Sequence, residues 1–481
     1  MSVSRIPAAA LAQLKSELGA GGFLERPADI EPFVHDFRGM FAGQAPLVAL
    51  PASTDQVARV VKTCAAHGVG IVPQGGNTGY CGGATPDGSA SQIVLALRRM
   101  NGVREVKPLD YSMTVEAGCV LSQVQQAALD ADRLFPLSLG SEGSCQIGGN
   151  LATNAGGTAV LRYGMMRDLV LGLEVVLADG RVLDGLKGLR KDNSGYDLRH
   201  LFIGSEGTLG IITAACLKLF PRPAEIVTAF AAVRDPAAAV ELLAAIRESS
   251  GDAVTTFELI PRLALDLTAQ HIAGVTDPLQ KRYEWYVLIE LTSSRAGLDL
   301  AASLEGALSG AIESGLVLDA TLASSLRQRE ALWRLRESIP EAQRHAGASI
   351  KHDISVPISA IADFVKRGGE WLAAHVPDGQ LIAYGHLGDG NLHFNVQQRA
   401  GTDTRSFLAR APQIQRTIHD LVAAYRGSFS AEHGIGQLKI GELARYKDPV
   451  ALALMRELKR ALDPQGILNP GKVLGASAPG A

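Results

Sequence analysis

The sequence predicts an α+β fold of two domains followed by a shorter C-terminal segment. Three observations predict it. The 481 residues are 47% hydrophobic, which is enough for two or three units that each have a core. Short strands and helices alternate over residues 46–220, and longer helical patterns alternate with strands from 223 to about 425. Between these two stretches, Pro221-Arg222-Pro223 interrupts both patterns.

The predicted boundaries follow these changes in pattern. Glycine returns near the C-terminus, at Gly434 and Gly436, before a last helical pattern. We therefore expect domains at residues 1–221 and 222–429, and a C-terminal segment at 430–481.

Each element is predicted from its periodicity and its end residues. Residues 54–64 read as a helix, because Val57, Val60 and Val61 recur at helical spacing and Asp55 lies in the first turn. The remaining predicted elements are an N-terminal amphipathic helix in 6–20, strands at 46–51, 93–97 and 112–118, a hairpin at 169–183, helices at 237–250 and 324–339, and a strand at 284–291.

Composition excludes several classes of partner. The net charge is −3, so nothing favours nucleic acid or an anionic membrane surface as the main partner. No stretch of about 18 uncharged apolar residues is present, which argues against a transmembrane segment. The five cysteines are scattered without a CxxC pair, so we expect packing residues in a reducing compartment. These features predict a soluble, cytoplasmic protein.

Glycine is the informative residue type. The chain has 52 glycines, and many lie in three loops at 74–83, 140–157 and 204–210. Any one of these loops is about as well explained as an ordinary turn, but together they predict backbone N–H groups close to a bulky anion such as a pyrophosphate. The sequence has no GxGxxG after a strand and no GxxxxGK[ST], which argues against a Rossmann NAD site and a P-loop.

Three motifs carry a family resemblance: Pro73-Gln-Gly-Gly-Asn-Thr-Gly, Gly148-Gly-Asn-Leu-Ala-Thr-Asn-Ala-Gly-Gly and Gly204-Ser-Glu-Gly-Thr-Leu-Gly. They resemble the FAD loops of the vanillyl-alcohol-oxidase/p-cresol-methylhydroxylase flavoproteins. Over residues 40–475 the chain is most similar to their FAD-linked D-2-hydroxyacid dehydrogenases, and closest to those acting on D-2-hydroxyglutarate. The resemblance implies a two-subdomain FAD-binding domain, an α+β substrate (cap) domain with an antiparallel sheet, and a C-terminal segment that returns to the FAD site.

The resemblance also implies which residues bind FAD. They are Pro73, Gln74, Gly75, Gly76, Asn77, Thr78, Gly79, Gly140, Ser141, Gly148, Gly149, Asn150, Thr153, Asn154, Gly156, Gly157, Glu206, Gly207, Gly210, Ile212 and Asn469. Some relatives tether the flavin through a histidine in the first loop. Asn77 and Thr78 stand there in this chain, so we expect non-covalent FAD.

A predicted hairpin brings two histidines together. His386 and His393 are seven residues apart, an odd separation that would place them on opposite sides of one strand. Asp389-Gly390 is a strong two-residue turn, and folding there makes the two imidazoles direct cross-strand neighbours. Tyr384 and Asn395 fall on the same face.

A third metal ligand is offered near the C-terminus by Glu432, which is followed by His433. An isolated pair of histidines is more often half-buried and bonded to backbone, but the hairpin and this acid favour a metal site. Two imidazoles and a carboxylate leave an open position, as in catalytic Zn²⁺ sites, and would also accept Mn²⁺ or Co²⁺. The resemblance implies His386, His393 and Glu432 as ligands of a divalent metal, with Zn²⁺ first.

Basic residues complete the predicted site. Read alone, Arg336 and Lys351 are most simply solvated surface charges. The resemblance implies instead that they bind substrate carboxylates, and that Tyr384, Asn395 and His433 also contact the substrate. Pro340 stands where the family has a hydroxyl-bearing residue, which leaves the choice between glutarate and smaller acids open.

The implied function is FAD- and metal-dependent oxidation of a D-2-hydroxyacid, with D-2-hydroxyglutarate first, to the 2-oxoacid. His433 would act as general base while hydride passes from C2 to flavin N5. The alternatives are a D-lactate, D-malate or glycolate dehydrogenase or oxidase, and a non-catalytic electron-transfer subunit. The resemblance implies an electron-transfer flavoprotein or a quinone chain as acceptor, and a homodimer is plausible.

Overall fold

The computed structural model describes residues 6–475 and divides into two units. The first unit contains the chain up to Gly157, Gly164–Arg222 and the residues from Glu432 onward. The second contains Pro223–Ala431 and the short segment Thr158–Tyr163. The second unit therefore takes in six residues that the sequence pattern had not separated from the first domain.

Helices occur in both units. In chain order they are α1 (Ala8–Leu18), α2 (Pro27–Ile30), α3 (Thr54–His67), α4 (Leu121–Asp130), α5 (Ile147–Ala152), α6 (Val160–Tyr163), α7 (Arg199–Phe202), α8 (Pro236–Ser249), α9 (Arg262–His271), α10 (Leu300–Glu313), α11 (Leu326–Glu337), α12 (Ile339–His345), α13 (Ile361–His375), α14 (Thr404–Ala409), α15 (Ala411–Ala424), α16 (Ile440–Tyr446) and α17 (Pro449–Leu462). Within residues 6–475, none of them is both long and apolar enough to span a bilayer.

Within residues 6–475, the first unit contains three sheets. Its strands are β1 (Phe23–Leu24), β2 (Val48–Ala49), β3 (Gly70–Gln74), β4 (Gln92–Ala96), β5 (Val103–Lys107), β6 (Ser112–Glu116), β7 (Arg133–Leu134), β8 (Val170–Val176), β9 (Val182–Asp184), β10 (Ile211–Lys218) and β11 (Phe220–Pro221). The four-stranded sheet has the order β1-β2-β4-β3, with β4 parallel to both β2 and β3. The five-stranded sheet, β5-β6-β10-β8-β9, is antiparallel, and β11 pairs with β7.

The predicted helix at 54–64 is confirmed as α3, and its ends have clear causes. The Ser53 side chain accepts the N–H of Gln56 at the start, and Gly68 ends the helix in the left-handed region. Val57, Val60 and Val61 are fully buried in one core. α3 connects β2 to β3, so its burial holds the first glycine-rich loop at the end of β3.

The second unit contains one eight-stranded antiparallel sheet. Its strands are β12 (Glu225–Val233), β13 (Val254–Pro261), β14 (Trp285–Ser293), β15 (Val317–Leu322), β16 (Ser349–Ile350), β17 (Asp353–Ser355), β18 (Gly379–His386) and β19 (Asn391–Gln398). The order is β15-β12-β14-β13-β18-β19-β16, and β17 also pairs with β19. Both faces are covered: α8, α10, α13 and α15 contribute to one core, and α9, α11 and α12 to the other.

Alternation along the strands supplies both cores. On β13, Phe257 and Leu259 join the larger core, whereas Ile260 joins the smaller one. Glu258 lies between these apolar residues and is 0% exposed, which makes it a buried charge in the middle of the sheet.

Candidate functional site

A cavity in the first unit brings together most of the predicted cofactor-binding residues. Those that line it are Pro73, Gln74, Gly75, Gly76, Asn77, Thr78, Gly79, Gly148, Gly149, Asn150, Thr153, Glu206, Gly207, Gly210 and Ile212, together with His433. One space is therefore bounded by the end of β3, the start of β10, α5 and the C-terminal segment.

Sequence reasoning missed ten further lining residues: Tyr80, Cys81, Gly83, Ala84, Leu97, Ala117, Cys145, Gln146, Ala152 and Ile211. Several are small or apolar side chains with no chemical motif of their own. Their position in the chain could have identified two of them as lining residues, since Leu97 directly follows β4 and Ala117 directly follows β6.

Six predicted cofactor residues do not line this cavity: Gly140, Ser141, Asn154, Gly156, Gly157 and Asn469. FAD binding by these six residues stays a prediction. Ser141 closes a turn through its carbonyl, which accepts the N–H of Ser144 and Cys145. Asn154 accepts the N–H of Arg167, and Asn469 donates to the carbonyls of Gly83 and Glu206 at 2.9 and 2.7 Å. Asn154 and Asn469 thus hold loops in place.

The loops approach one another too closely for side chains. A Cβ on Gly76 would lie 2.2 Å from the carbonyl oxygen of Ser144, and a Cβ on Gly148 would lie 2.8 Å from the Cβ of Ala117. Glycine at these positions lets bare backbone form the cavity wall, as an anionic ligand requires.

Two buried amide oxygens test whether a flavin dinucleotide fits. Oε1 of Gln146 and Oδ1 of Asn150 have no hydrogen-bond partner within residues 6–475, and both side chains line the cavity. A buried acceptor without a donor costs about 1–3 kcal/mol. Flavin and adenine rings carry N–H donors that such acceptors would take, so the cavity fits FAD.

Glu206 fastens the C-terminal segment to the cavity. Its Oε1 accepts the N–H of Ile435 at 2.7 Å, and its Oε2 accepts that of Gly436 at 2.9 Å. Burial raises the pKa of the Glu206 carboxyl, while these two N–H donors act against the rise. A Cβ on Gly434 would lie 2.7 Å from Oε1, so glycine is required there. The anchor follows His433 directly.

His433 lies on the cavity wall. Its ring meets Tyr80 edge to face, with 4.6 Å between ring centroids. The next residue back along the chain is Glu432, whose Oε1 accepts the N–H of Gly157 at 2.7 Å. Gly157 therefore serves the carboxylate of the C-terminal segment rather than the cavity.

The predicted pairing of His386 with His393 is wrong by two residues. β18 and β19 pair Tyr384 with His393, because the connection uses a 3₁₀ turn at Leu387–Asp389 before Gly390 instead of a two-residue turn. Since side chains alternate along a strand, a shift of two keeps both histidines on one face. Their ring centroids are 5.7 Å apart.

Glu432 follows directly after the last residue of the second unit. Ala431, the residue before it, donates its N–H to the carbonyl of Asp353, and Asp353 is the β17 partner of His393. Two imidazoles and one carboxylate are ligand types that a divalent metal of the zinc type accepts.

Sequence reasoning missed the buried carboxylate of Glu258. Its Oε1 lies 2.5 Å from Nδ1 of His386, and its Oε2 accepts Nε–H of Arg336 at 2.6 Å. Burial by itself would raise the pKa of Glu258, but Arg336 and then His386 outweigh it and lower the pKa to about 2. The sequence signal that could have identified Glu258 is its place as the one acid in the largely apolar run VTTFELIP.

Of the two basic residues, Arg336 is clearly not a solvated surface charge, since it is only 6% exposed. Its guanidinium lies 4.9 Å from the ring centroid of Tyr384, whose ring is in turn 4.9 Å from that of His393. Lys351 is half-buried, between β16 and β17.

Asn395 has structural partners. It lies on the predicted face but is 2% exposed, and its Nδ2 donates to Gln343 at 3.1 Å. Its Oδ1 accepts the N–H of His352 at 3.2 Å. Both ends of the amide therefore bond within the second unit.

Known proteins share both the sequence and the fold. Residues 45–185 match the family "FAD binding domain", and residues 222–473 match "FAD linked oxidases, C-terminal domain". D-2-hydroxyglutarate dehydrogenase, mitochondrial, of Bos taurus is 42% identical over 95% of this chain and 82% of its own. The probable enzyme of the same name from Oryza sativa subsp. indica is 41% identical over 96% of this chain and 81% of its own.

Among solved structures, p-cresol methylhydroxylase with bound substrate aligns with a TM-score of 0.74 at 19% identity, over 97% of this chain and 96% of its own. The predicted α+β flavoprotein fold is thus confirmed. The chain belongs to the FAD-linked oxidase family and, within it, to the group of the D-2-hydroxyglutarate dehydrogenases. It is an FAD-dependent dehydrogenase.

The expected cytoplasmic location is wrong. The Bos taurus and Oryza sativa relatives are named as mitochondrial proteins. Composition and the cysteine pattern carry no information that separates these two reducing compartments, so the sequence argument could not have distinguished them.

Proposed function

We propose that this protein oxidises a D-2-hydroxyacid to the 2-oxoacid, using non-covalent FAD and a divalent metal. D-2-hydroxyglutarate is the proposed substrate, and Zn²⁺ is the proposed metal. One pair of observations carries the proposal: the rings of His386 and His393 lie 5.7 Å apart on one face of the second unit, and His433, which follows the proposed third ligand Glu432, lines the cavity that fits FAD in the first unit. The names of the relatives support the substrate.

The metal would be held by His386, His393 and Glu432. With three protein ligands an open position remains, at which the ion would lower the pKa of the substrate hydroxyl as a Lewis acid. Gly157 holds Glu432 through its N–H, which limits the rotation of the carboxylate.

His433 would take the hydroxyl proton. A histidine side chain accepts a proton at neutral pH, and general bases of this kind contribute about 10²–10⁴-fold to rate. The Tyr80 ring and the Glu206 anchor on either side limit where the imidazole points. FAD supplies the acceptor for the hydride that leaves C2.

Arg336 and Lys351 would bind the substrate carboxylates, and Tyr384 and Asn395 would complete the substrate site. A guanidinium can grip a carboxylate with two parallel N–H donors, whereas an ammonium acts as a point charge. Asn395 would act through the position of its backbone and of Gln343, since its amide already bonds to Gln343 and His352.

Pro340 favours a second candidate substrate. It lies in the first turn of α12, four residues after Arg336, and it has no hydroxyl with which to hold a distal carboxylate. D-lactate and glycolate have no distal carboxylate, and the distal carboxylate of D-malate lies one carbon closer to C2 than that of D-2-hydroxyglutarate. The electron acceptor is proposed to be an electron-transfer flavoprotein or a quinone chain, and the assembly a homodimer.

Anaerobic mixing tests the proposal. Oxidised enzyme is mixed with D- and L-2-hydroxyacids of different length, and loss of flavin absorbance is followed with and without a chelator. D-2-hydroxyglutarate should bleach the flavin fastest, and the chelator should stop it. Faster bleaching by D-lactate, D-malate or glycolate would replace the substrate, and no bleaching by any acid would leave an electron-transfer subunit. Steady-state assays with a dye or oxygen as acceptor separate a dehydrogenase from an oxidase.

A further inference from the structure

Glu258 occupies a position that neither the sequence motifs nor the proposed reaction uses. It lies on β13, where it is the direct cross-strand partner of His386 on β18. Its carboxylate is fully buried, and each of its two oxygens has a charged or ionisable partner. A carboxylate removed from water is costly unless it is paired and hydrogen-bonded, and His386 and Arg336 supply those partners here.

We propose that Glu258 is a positioning residue that holds the metal ligand His386 with one oxygen and the substrate-binding Arg336 with the other. The proposal rests on the proposed function, since it assigns no ligand or substrate of its own. It explains how one buried group sets the relative position of a metal ligand and a carboxylate binder.

The contact with His386 selects the form of the imidazole. When Oε1 of Glu258 accepts Nδ1–H, the remaining ring nitrogen, Nε2, presents its lone pair and is the atom that binds a metal. A carboxylate behind a metal-bound histidine also makes the imidazole a stronger ligand, and loss of such a partner typically costs 10–100-fold in metal affinity.

The contact with Arg336 orients the guanidinium. Nε–H donates to Oε2 of Glu258, while the plane lies against the Tyr384 ring. A guanidinium has five donors, so a substrate carboxylate would be met by its terminal nitrogens. Arg336 and His386 are thereby fixed to one rigid strand rather than to a loop.

Glu290 on β14 is a matched control. It is also buried in the same sheet and forms an ion pair with Arg329 at 2.8 Å, with the Trp333 ring N–H as a further donor. It contacts none of the proposed metal ligands. Glu290→Gln therefore removes a comparable buried charge without affecting the metal site.

The experiment uses FAD-loaded, metal-free enzyme titrated with Zn²⁺ against a competing chelator. Glu258→Gln should weaken Zn²⁺ binding about 10–100-fold while the flavin content stays equal to wild type. Glu290→Gln should bind Zn²⁺ as wild type does. At saturating Zn²⁺, the KM for the hydroxyacid should remain raised in Glu258→Gln, because the Glu258 carboxylate no longer orients the Arg336 guanidinium. Wild-type Zn²⁺ affinity in Glu258→Gln overturns the metal half of the proposal, and wild-type KM overturns the arginine half.

A second comparison covers the case in which Glu258→Gln does not fold, since it removes the buried carboxylate that accepts Nε–H of Arg336. The double variant Glu258→Gln/Arg336→Met removes both charges and is compared with Arg336→Met alone. Equal Zn²⁺ affinity of these two proteins overturns the metal half of the proposal. If His393→Ala binds Zn²⁺ as tightly as wild type, the metal site of the proposed function is itself wrong, which is a different result.

Discussion

The carboxylate of Glu432 accepts the backbone N–H of Gly157 at 2.7 Å, across 275 residues of sequence. Gly157 has φ +94°, and a Cβ there would lie 2.1 Å from the carbonyl oxygen of Ser138. A glycine of the second predicted FAD loop therefore holds the acid proposed as metal ligand. One backbone hydrogen bond thus connects the predicted FAD loop with the proposed metal ligand.

Removal of the metal should abolish turnover and leave the flavin in place. The proposed ligands are His386, His393 and Glu432. The cavity that fits FAD is lined by other residues, and one of these, His433, follows Glu432 directly. Chelator-treated enzyme should keep its flavin absorbance, lose activity, and regain it with Zn²⁺, Mn²⁺ or Co²⁺. Full turnover in protein shown by elemental analysis to be metal-free would contradict this.

His433→Asn should bind FAD normally but turn over about 10²–10⁴-fold more slowly, because the proposed base is lost while the Glu206 anchor remains. Flavin content and kcat are the measurements. His375→Asn is the matched control, since that exposed ring stacks only on Trp371 at the end of α13. Unchanged kcat in His433→Asn removes His433 from the mechanism.

The flavin should separate from the protein on acid precipitation. Asn77 and Thr78 line the cavity, and neither side chain has an imidazole that could bond covalently to FAD. The yellow colour is expected in the supernatant, as measured by its absorbance. Colour that stays with the precipitated polypeptide would show a covalent bond.

Gly76→Ala should weaken FAD binding. The added Cβ would meet the carbonyl oxygen of Ser144 at 2.2 Å, and overpacking of this kind costs roughly 1–3 kcal/mol, about tenfold to a hundredfold in affinity. Gly143→Ala is the control, because a Cβ there has nothing within 4 Å. Equal flavin occupancy in the two variants would show that the loop does not need bare backbone.

Lys472→Met should stabilise the protein at neutral pH. Burial lowers the pKa of Lys472 to about 8, against the pull of Asp87. Between about pH 8 and 10.5 the folded state therefore binds fewer protons than the unfolded chain, and wild-type stability rises with pH. The variant should gain roughly 2–3 kcal/mol at pH 7, and the gain should shrink across that window. Denaturation midpoints of both proteins at several pH values measure it; a gain independent of pH would contradict the cause.

Sequence patterns predicted local structure well where a period and an end residue agreed. α3 was predictable because its valines follow the helical period and Asp55 lies in its first turn. The structure also confirms the strands predicted at 93–97 and 112–118, which are β4 and β6. It confirms the hairpin at 169–183, in which β8 and β9 pair Val176 with Val182. Patterns of this kind depend on nearby residues, so they can be recognised without knowledge of the fold.

The metal-site hairpin shows where local reasoning ends. Parity along the strands placed His386 and His393 on one face, but Asp389-Gly390 alone could not fix the register. Gly390 packs against Val356, and a Cβ there would lie 2.2 Å from the Val356 carbonyl oxygen. That contact comes from a segment more than thirty residues earlier, so the turn is set by tertiary packing.

The sequence by itself determined the family, the helices and strands with strong periodicity, and the residue types able to bind a dinucleotide or a metal. Only the tertiary structure decided that Glu258 lies behind His386 and Arg336, and that Gly157 holds Glu432 rather than lining the cavity. The reason is physical. Periodicity and turn chemistry depend on neighbours a few residues away, whereas a buried carboxylate is positioned by groups 78 and 128 residues distant.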